Sequence, residues 1–368
     1  MQFLYDFARL PKDRQLLEDL NFAAGRLFDK LRGMDVKKLA ISDYNKKYFG
    51  EYLASLQSSL QMYTQILAYT LSPSHIPADK FALLDYGGGC GILSLLAKEF
   101  GVGTVIYNDI YDVSCRDAEI LGEVLGIKAE HYVQGDIDDL LAYLADHGLS
   151  CDGAASHDVI EHIYDIESFL GKVPRLSNGG MIFVMASGAN IRNPMIARQL
   201  SRQHVLAELQ DRKEEWGHKE RDSLRSYMTI RREIIREHLA GLSKTVSADE
   251  LEQLACKTRG MMRCDIIKGV DEYLETGNLP QPPSHPTNTC DPLTGNWLEN
   301  LMDQSTLLDS LSKSGFKTRI LCGYYGRSGN PTKSLAKRLA NLCITSMMSQ
   351  GIRIAPYFIL YGQRQERK

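Results

Sequence analysis

The sequence predicts an α/β protein built on a doubly wound, mostly parallel sheet of seven strands. A helical segment precedes the sheet and a large helical insertion follows strand five. Three observations carry this reading. Short apolar runs alternate with helix-length spacers from about residue 76 onward. The first run ends in a glycine-rich turn. Polar residues cluster at the carboxyl ends of the runs, where ligands bind in sheets of this kind.

The first run, Phe81-Ala82-Leu83-Leu84, ends in Asp85-Tyr86-Gly87-Gly88-Gly89-Cys90-Gly91, after which Ile92-Leu93-Ser94-Leu95-Leu96-Ala97 opens a helix. Glycine suits such a turn because the backbone takes angles that other residues resist, and because a ligand can approach the main chain closely. The helix points its free N–H groups at whatever lies over the turn. A dinucleotide fingerprint, G-x-G-x-x-G, would require glycine where this chain has Ile92. The second run, Val105 to Ile110, places Asp109 roughly 20 residues beyond the turn, the distance at which a second strand delivers a carboxylate to a ribose diol. The third, His131-Tyr132-Val133-Gln134, leads through Gly135 to Asp136 and Ile137. The fourth, Cys151 to Asp158, opens into Val159-Ile160-Glu161-His162-Ile163, and the fifth, Gly179 to Ala186, follows a Leu-Ser-Asn-Gly-Gly turn.

The pattern D-x-G-x-G-x-G from Asp85 to Gly91, with Asp109 and Asp136 in order behind it, resembles class I S-adenosylmethionine (SAM)-dependent methyltransferases. The resemblance covers about residues 76–188 and a returning tail. It implies a Rossmann-like methyltransferase fold with SAM as cofactor. Gly87 and Gly89 would cradle its methionine part, Asp109 would hold the ribose, and Asp136 with Ile137 would frame the adenine. Asp85, Tyr86, Gly88, Ile110 and His157 complete the expected cofactor-binding set. Each carboxylate taken alone reads equally well as a loop acid or a helix cap; their order is what argues for a site.

Residues 1–75 read as helical, with Leu16, Leu20, Ala24, Leu27 and Leu31 at helical spacing and Leu53, Leu56, Leu60, Tyr63 and Leu67 likewise. Ser42 suits the cap of the second helix. Related enzymes bring an N-terminal tyrosine over the cofactor, which makes Tyr44 or Tyr48 a candidate, with simple aromatic packing as the alternative. The insertion, residues 190–296, contains the amphipathic face Tyr227, Ile230, Ile234, His238, Leu239 and Leu242. It is expected to cover the active site as a helical cap, or else to serve as a partner-binding or dimerisation arm. Its end, Leu279 to Trp297, is too rich in proline for helix or central strand. There His285, Asn288, Asp291, Asn296 and Trp297 either line a pocket or form a rigid connector. The tail, residues 297–368, returns to the sheet: a helix from Gln304 to Ser314, a strand from Phe316 to Cys322, a helix after Pro331 with Leu335, Leu339 and Leu342, and a last strand over Ile352 to Tyr361, expected to be antiparallel.

Methyl transfer from a sulfonium asks the protein mainly to align a nucleophile and exclude water. A hydroxyl acceptor also needs help in losing its proton. The segment His157-Asp158-Val159-Ile160-Glu161-His162, after strand four, is where the family resemblance locates the transferred methyl group. His157 and Asp158 could contact cofactor or acceptor, and His162 could act as a base; these three are the catalytic candidates. A metal-binding reading of Asp158, Glu161 and His162 rests on similarity to the E-x-x-E-H motif of certain O-methyltransferases. The aspartate in first position reaches less far, and no metal is expected.

The composition excludes several classes. A net charge of −3 gives no global field for nucleic acid or an anionic membrane. No apolar run approaches the ~20 residues of a membrane span. Met1-Gln2-Phe3-Leu4-Tyr5-Asp6 lacks the basic start and apolar core of a signal peptide. The eight cysteines form no C-x-x-C pair, as expected of reduced thiols in a cytoplasm. The expectation is therefore a cytoplasmic methyltransferase acting on a small-molecule, glycan or lipid-linked acceptor, with oxygen slightly favoured. A nucleic-acid or protein methyltransferase, or a catalytically silent SAM-fold scaffold, is the alternative, and a homodimer is compatible with either.

Overall fold

The computed structural model describes residues 2–4, 13–211, 224–327 and 330–365. Met1 and most of the first dozen residues, with that part of the N-terminal reading, lie outside the described residues, as does 212–223 of the insertion. The chain divides into two compact units: one of residues 1–160, 166–193 and 303–368, the other of 161–165 and 194–302.

The first unit starts with α1 (Arg14–Leu31), α2 (Asp43–Ala54) and α3 (Leu56–Leu71). Asp13 caps α1 and Ser42 caps α2, each side chain accepting a backbone N–H of the first turn. The apolar periodicity that runs on through Leu67 is broken at Ser55. There the backbone leaves helical angles and the hydroxyl donates to the Glu51 carbonyl, a local bond that competes with the helix ladder.

Strands and helices then alternate: β1 (Ala82–Tyr86), α4 (Ile92–Phe100), β2 (Thr104–Asp109), α5 (Asp112–Leu125), β3 (His131–Gln134), α6 (Ile137–Asp146), β4 (Gly153–His157), α7 (Ile166–Lys172) and β5 (Met181–Ser187). All five strands are parallel. Every residue of β5 is buried, which is why it reads as a continuous apolar run rather than an alternating one.

The second unit holds α8 (Pro194–Leu209), α9 (Tyr227–Gly241), α10 (Ala248–Lys257) and α11 (Arg263–Thr276). Its core joins Ile230, Ile234 and Ile235 of α9 to Leu254, Ile266 and Val270. A buried ion pair crosses that core. Arg231 Nη1 donates to Glu208 at 3.0 Å, and the Thr289 hydroxyl donates to the same carboxylate. The proline-rich stretch that follows has no helix or strand, only a bridge between Cys290 and Trp297.

The chain re-enters the first unit with α12 (Gln304–Lys313), β6 (Lys317–Cys322), α13 (Pro331–Ser346) and β7 (Phe358–Arg364). The strand order is β3-β2-β1-β4-β5-β7-β6, with β7 antiparallel to both neighbours. The expected last strand begins later than Ile352, because Met348–Arg353 form a 3-10 turn and Pro356 has no N–H for a ladder. It also runs further. Arg364 donates to the carbonyls of Pro174, Ser177 and Gly179, which fixes its end beside β5.

Candidate active site

The turn between β1 and α4 is built from left-handed glycines: Gly87, Gly89 and Gly91 have φ of +65, +53 and +73°. They serve different ends. A Cβ on Gly87 would meet Val159 Cγ2 at 2.7 Å, and one on Gly88 would meet Tyr107 at 2.5 Å, so these two are required by close packing. A Cβ on Gly89 would meet nothing within 4 Å. Gly89 therefore leaves open space beside its Cα, just before the start of α4.

The acids around the turn brace it. Asp85 is buried and accepts the N–H and hydroxyl of Ser94 in α4, at 3.0 and 2.7 Å. Burial pushes its carboxyl up to about 7, against the opposing effect of the Ser94 bonds. Asp109 Oδ2 accepts Gly89 N–H at 3.0 Å and its Oδ1 accepts Tyr111 N–H at 2.9 Å. Asp136 caps α6 in a reciprocal capping box with Asp139, using Oδ1 for both backbone bonds. The residue is exposed, and neither of those bonds uses Oδ2. Ile137 is buried at the start of α6, while Ile110 is 46 % exposed.

The phenol of Tyr86, packed on Phe169 at 5.0 Å, is pushed well up by burial and then by the charges of Asp136 and Asp109. Tyr86, Asp109 and Asp136 thus share one electrostatic neighbourhood at the ends of β1, β2 and β3. Tyr44 joins it from α2. Its phenol is raised by burial, by its partner Tyr48 at a ring distance of 4.8 Å, and by the Asp109 carboxylate. Tyr44 thereby lies within the field of the Asp109 carboxylate.

α2 is held there by contacts that sequence reasoning missed. The buried carboxylate of Asp117, in α5, accepts from the Ser42 N–H, the Ser42 hydroxyl and Asn45 Nδ2. Burial alone would raise this carboxyl, but those donors hold it below its ordinary range. Cys90 of the glycine turn donates weakly to Asn45 and is a buried thiol with its pKa pushed up by burial, not a nucleophile.

At the end of β4, His157 Nδ1 lies 3.0 Å from Asp158 Oδ2. The ring stands edge-on between Tyr63, at 5.9 Å, and Tyr357, at 6.0 Å. Asp158 has φ +53°, a left-handed conformation that few side chains tolerate, though aspartate is among them. Its N–H donates to Ala186 and its Oδ1 accepts from Gly188, so both ends of the residue are tied to β5 and the residues after it. Tyr63 donates to Tyr52 at 3.2 Å. Both phenols are raised by burial, and both feel Asp85 and Asp158. The sequence had offered Tyr63 only as one more member of an apolar helical stripe; nothing in that spacing signals a polar partner.

Glu161 and His162 fall in the second unit, whereas His157 and Asp158 fall in the first. Glu161 is fully buried. His162 Nδ1 bonds the Trp297 carbonyl at 2.8 Å, and the Asn300 N–H donates to the Glu161 carbonyl. His162 therefore has a structural partner within its own unit. Among the described residues no group of three His, Cys, Asp or Glu side chains converges as a metal site. In the same unit Asn288 bonds Asn300 and Leu301, and Asp291 accepts from Leu293 and Thr294, so these two loop polars brace the connector.

Residues 84–184 match the family model of a methyltransferase domain. Among solved structures, the chain is similar to a SAM-dependent methyltransferase from Mesorhizobium loti, at 13 % identity over 78 % of this chain and 94 % of that one, with a TM-score of 0.36. It is similar also to the CurJ carbon methyltransferase (13 %, 96 % of this chain and 66 % of that one, TM-score 0.40). A third is the plantazolicin methyltransferase BpumL, solved with SAH and a triazolic desmethylPZN analog (14 %, 96 % and 98 %, TM-score 0.38). No curated protein matches the chain. The matched segment runs from within β1 into β5 and contains the glycine turn with its ordered acids; the protein is thus an enzyme that carries a SAM-dependent methyltransferase domain at residues 84–184.

Proposed function

We propose that this enzyme methylates a hydroxyl group on a small-molecule, glycan or lipid-linked acceptor. The observation that carries the reading is the His157–Asp158 pair at the end of β4. A carboxylate 3.0 Å from Nδ1 favours a proton on that nitrogen, and Nε2 then carries the lone pair that can receive a hydroxyl proton. Nε2 has no protein hydrogen bond among the described residues. The tyrosines flanking the ring restrict its rotation, so the orientation is set before an acceptor arrives.

SAM, when bound, supplies an activated methyl group. The chain's own residues would hold it as follows: Gly89 under the methionine part, Asp109 and Tyr44 at the ribose, Tyr86 and Asp136 towards the adenine. The open space at Gly89 and the exposure of Asp136 fit that assignment. Residues 190–296 are proposed to select the acceptor. The cysteines, all free, agree with a reducing, cytoplasmic location.

The test is transfer of an isotopically labelled methyl group to a panel of hydroxyl, amine and carbon acceptors, including glycans and lipid-linked intermediates. A methyl ether is the expected product. An N- or C-methylated product, unaffected by His157→Gln, would overturn the oxygen assignment while leaving the cofactor assignment in place.

A further inference from the structure

Gln65 lies fully buried on α3, beside the apolar Ile66, Leu67 and Ala68. Burying an amide costs free energy unless it is bonded, and a leucine would fill a similar space without that cost. The bond that Gln65 makes is a long-range one. The Tyr357 hydroxyl donates to its Oε1 at 2.7 Å, between residues 292 apart in sequence. Tyr357 is buried as well, and a phenylalanine would serve its packing equally well. Replacing both polar partners of a buried pair by apolar groups of like shape is nearly neutral for stability. Stability therefore does not account for the pair. Orientation does.

Tyr357 is fixed at both ends. Its hydroxyl is tied to α3, and its carbonyl accepts the Gly323 N–H at 2.9 Å, just after β6. A Cβ on Gly323 would overlap the Tyr357 ring, so the glycine leaves that ring its place. The ring held in this way meets His157 edge-on, with centroids 6.0 Å apart and an interplanar angle of 80°. The second aromatic neighbour of the imidazole, Tyr63, stands at 5.9 Å and 64°, and it belongs to α3, two residues before Gln65. One helix thus governs both neighbours of His157: Tyr63 touches it directly, and Gln65 acts through Tyr357. The Asp158 carboxylate, 3.0 Å from Nδ1, leaves the imidazole free to swing about that single contact. A swing that carries Nε2 by about 1 Å is enough to cost on the order of 10²-fold in rate.

We propose that Gln65 is a positioning residue for His157, holding Tyr357 so that the imidazole stays turned with Nδ1 on Asp158 and Nε2 left for an acceptor proton. Its place in the reaction rests on His157 being the proton acceptor proposed above; the orientation of the ring does not.

The experiment is NMR of the full chain with ¹⁵N-labelled histidine, His157 being identified by the signals that His157→Gln removes. At a pH where imidazole is neutral, the parent should show His157 as one tautomer, protonated at Nδ1. Gln65→Leu should shift the mixture towards the other tautomer. It should also lower kcat on a hydroxyl acceptor by about 10- to 10²-fold with SAM affinity unchanged. Gly323→Ala should do the same from the other end of Tyr357. The double variant Gln65→Leu, Tyr357→Phe separates positioning from packing. It should regain the melting temperature lost in Gln65→Leu, since no hydroxyl is left buried without an acceptor, while His157 stays misaligned. Spectra of His157 in Gln65→Leu and Tyr357→Phe identical to the parent's would overturn the proposal, as would a double variant in which the His157 spectrum recovers with stability. A product methylated at nitrogen or carbon would overturn the proton-acceptor reading alone, because the spectra report the ring without any acceptor present.

Discussion

The N–H of Gly89 donates to Oδ2 of Asp109 at 3.0 Å, so the acid that ends β2 holds the tip of the turn that follows β1. The other side of the same residue is held as well, since the Tyr107 hydroxyl donates to the Gly89 carbonyl at 2.6 Å. Two side chains of one strand thus clamp a single glycine. The arrangement fixes the main chain before any cofactor arrives, which lowers the ordering cost of binding. It also makes Asp109 the brace of the turn, bonded to both Gly89 and Tyr111.

Gly89→Leu should therefore abolish SAM binding without unfolding the protein. The added side chain has free space in the absence of cofactor, so the structural cost is the left-handed backbone alone, about 1–2 kcal/mol. Gly87→Leu should cost considerably more stability, because its Cβ would strike Val159. Calorimetry paired with thermal unfolding separates the two. Undiminished SAM affinity in Gly89→Leu would remove the turn from the cofactor site.

Asp158→Asn provides the sharpest test of the His157 pair. Asparagine tolerates the φ of +53° and can still accept from Gly188, so folding and SAM affinity should be preserved. What disappears is the negative charge beside Nδ1. Turnover should fall by about 10²- to 10⁴-fold, and the pH–rate profile should lose or shift its acidic limb, where protonation of Nε2 removes the base. A variant with parental turnover and an unchanged profile would show that the pair has no part in proton transfer.

The sequence made the sheet legible because each strand is bounded by turn residues and ends in a polar side chain, and β3 in particular begins and ends at the expected residues. The family pattern made the glycine turn legible in the same way. What stayed hidden were contacts between residues distant in sequence. Asp117 lies on α5, yet it anchors α2 through Ser42 and Asn45. Tyr357 reaches His157 from the residue just before β7, and Tyr107 was simply an apolar strand position. Periodicity reports which face of an element is buried, not which hydroxyl meets which carbonyl inside. The outward leucines of α13 show the converse: helical spacing of Leu335, Leu339 and Leu342 was read correctly as helix, but spacing alone does not say whether the stripe faces the core.

Asp85 should impose a pH dependence on stability. Its folded pKa, about 7, lies above the unfolded value of 3.8, so between them the folded chain keeps a proton that the unfolded chain has lost. Stability should accordingly fall as pH rises from about 4 to 7, by up to about 4 kcal/mol, and level off above. Asp85→Asn keeps an oxygen to accept from Ser94 and removes the charge. The difference in urea unfolding free energy between variant and parent should therefore grow in favour of the variant across that window. A difference that stays flat with pH would mean that Asp85 is already ionised in the fold at low pH.

The second unit should respond to acid in the opposite direction. His204 is fully buried in α8; its Nε2 bonds the Leu298 carbonyl, and its Nδ1 has no hydrogen-bond partner. Burial depresses its pKa from 6.5 to about 4, opposed by the Leu298 bond and reinforced by the Arg259 charge. Between those values the unfolded chain takes up a proton that the fold refuses, so stability present above pH 6.5 is lost as pH falls towards 4, by up to about 3 kcal/mol. Both tryptophans of the chain fall between residues 194 and 302, so tryptophan fluorescence reports on this unit. His204→Gln retains an amide donor for Leu298 and cannot be protonated in this range. Its fluorescence-detected unfolding should be less acid-sensitive than the parent's between pH 6.5 and 4, and identical acid sensitivity in the two proteins would show that another group governs the transition.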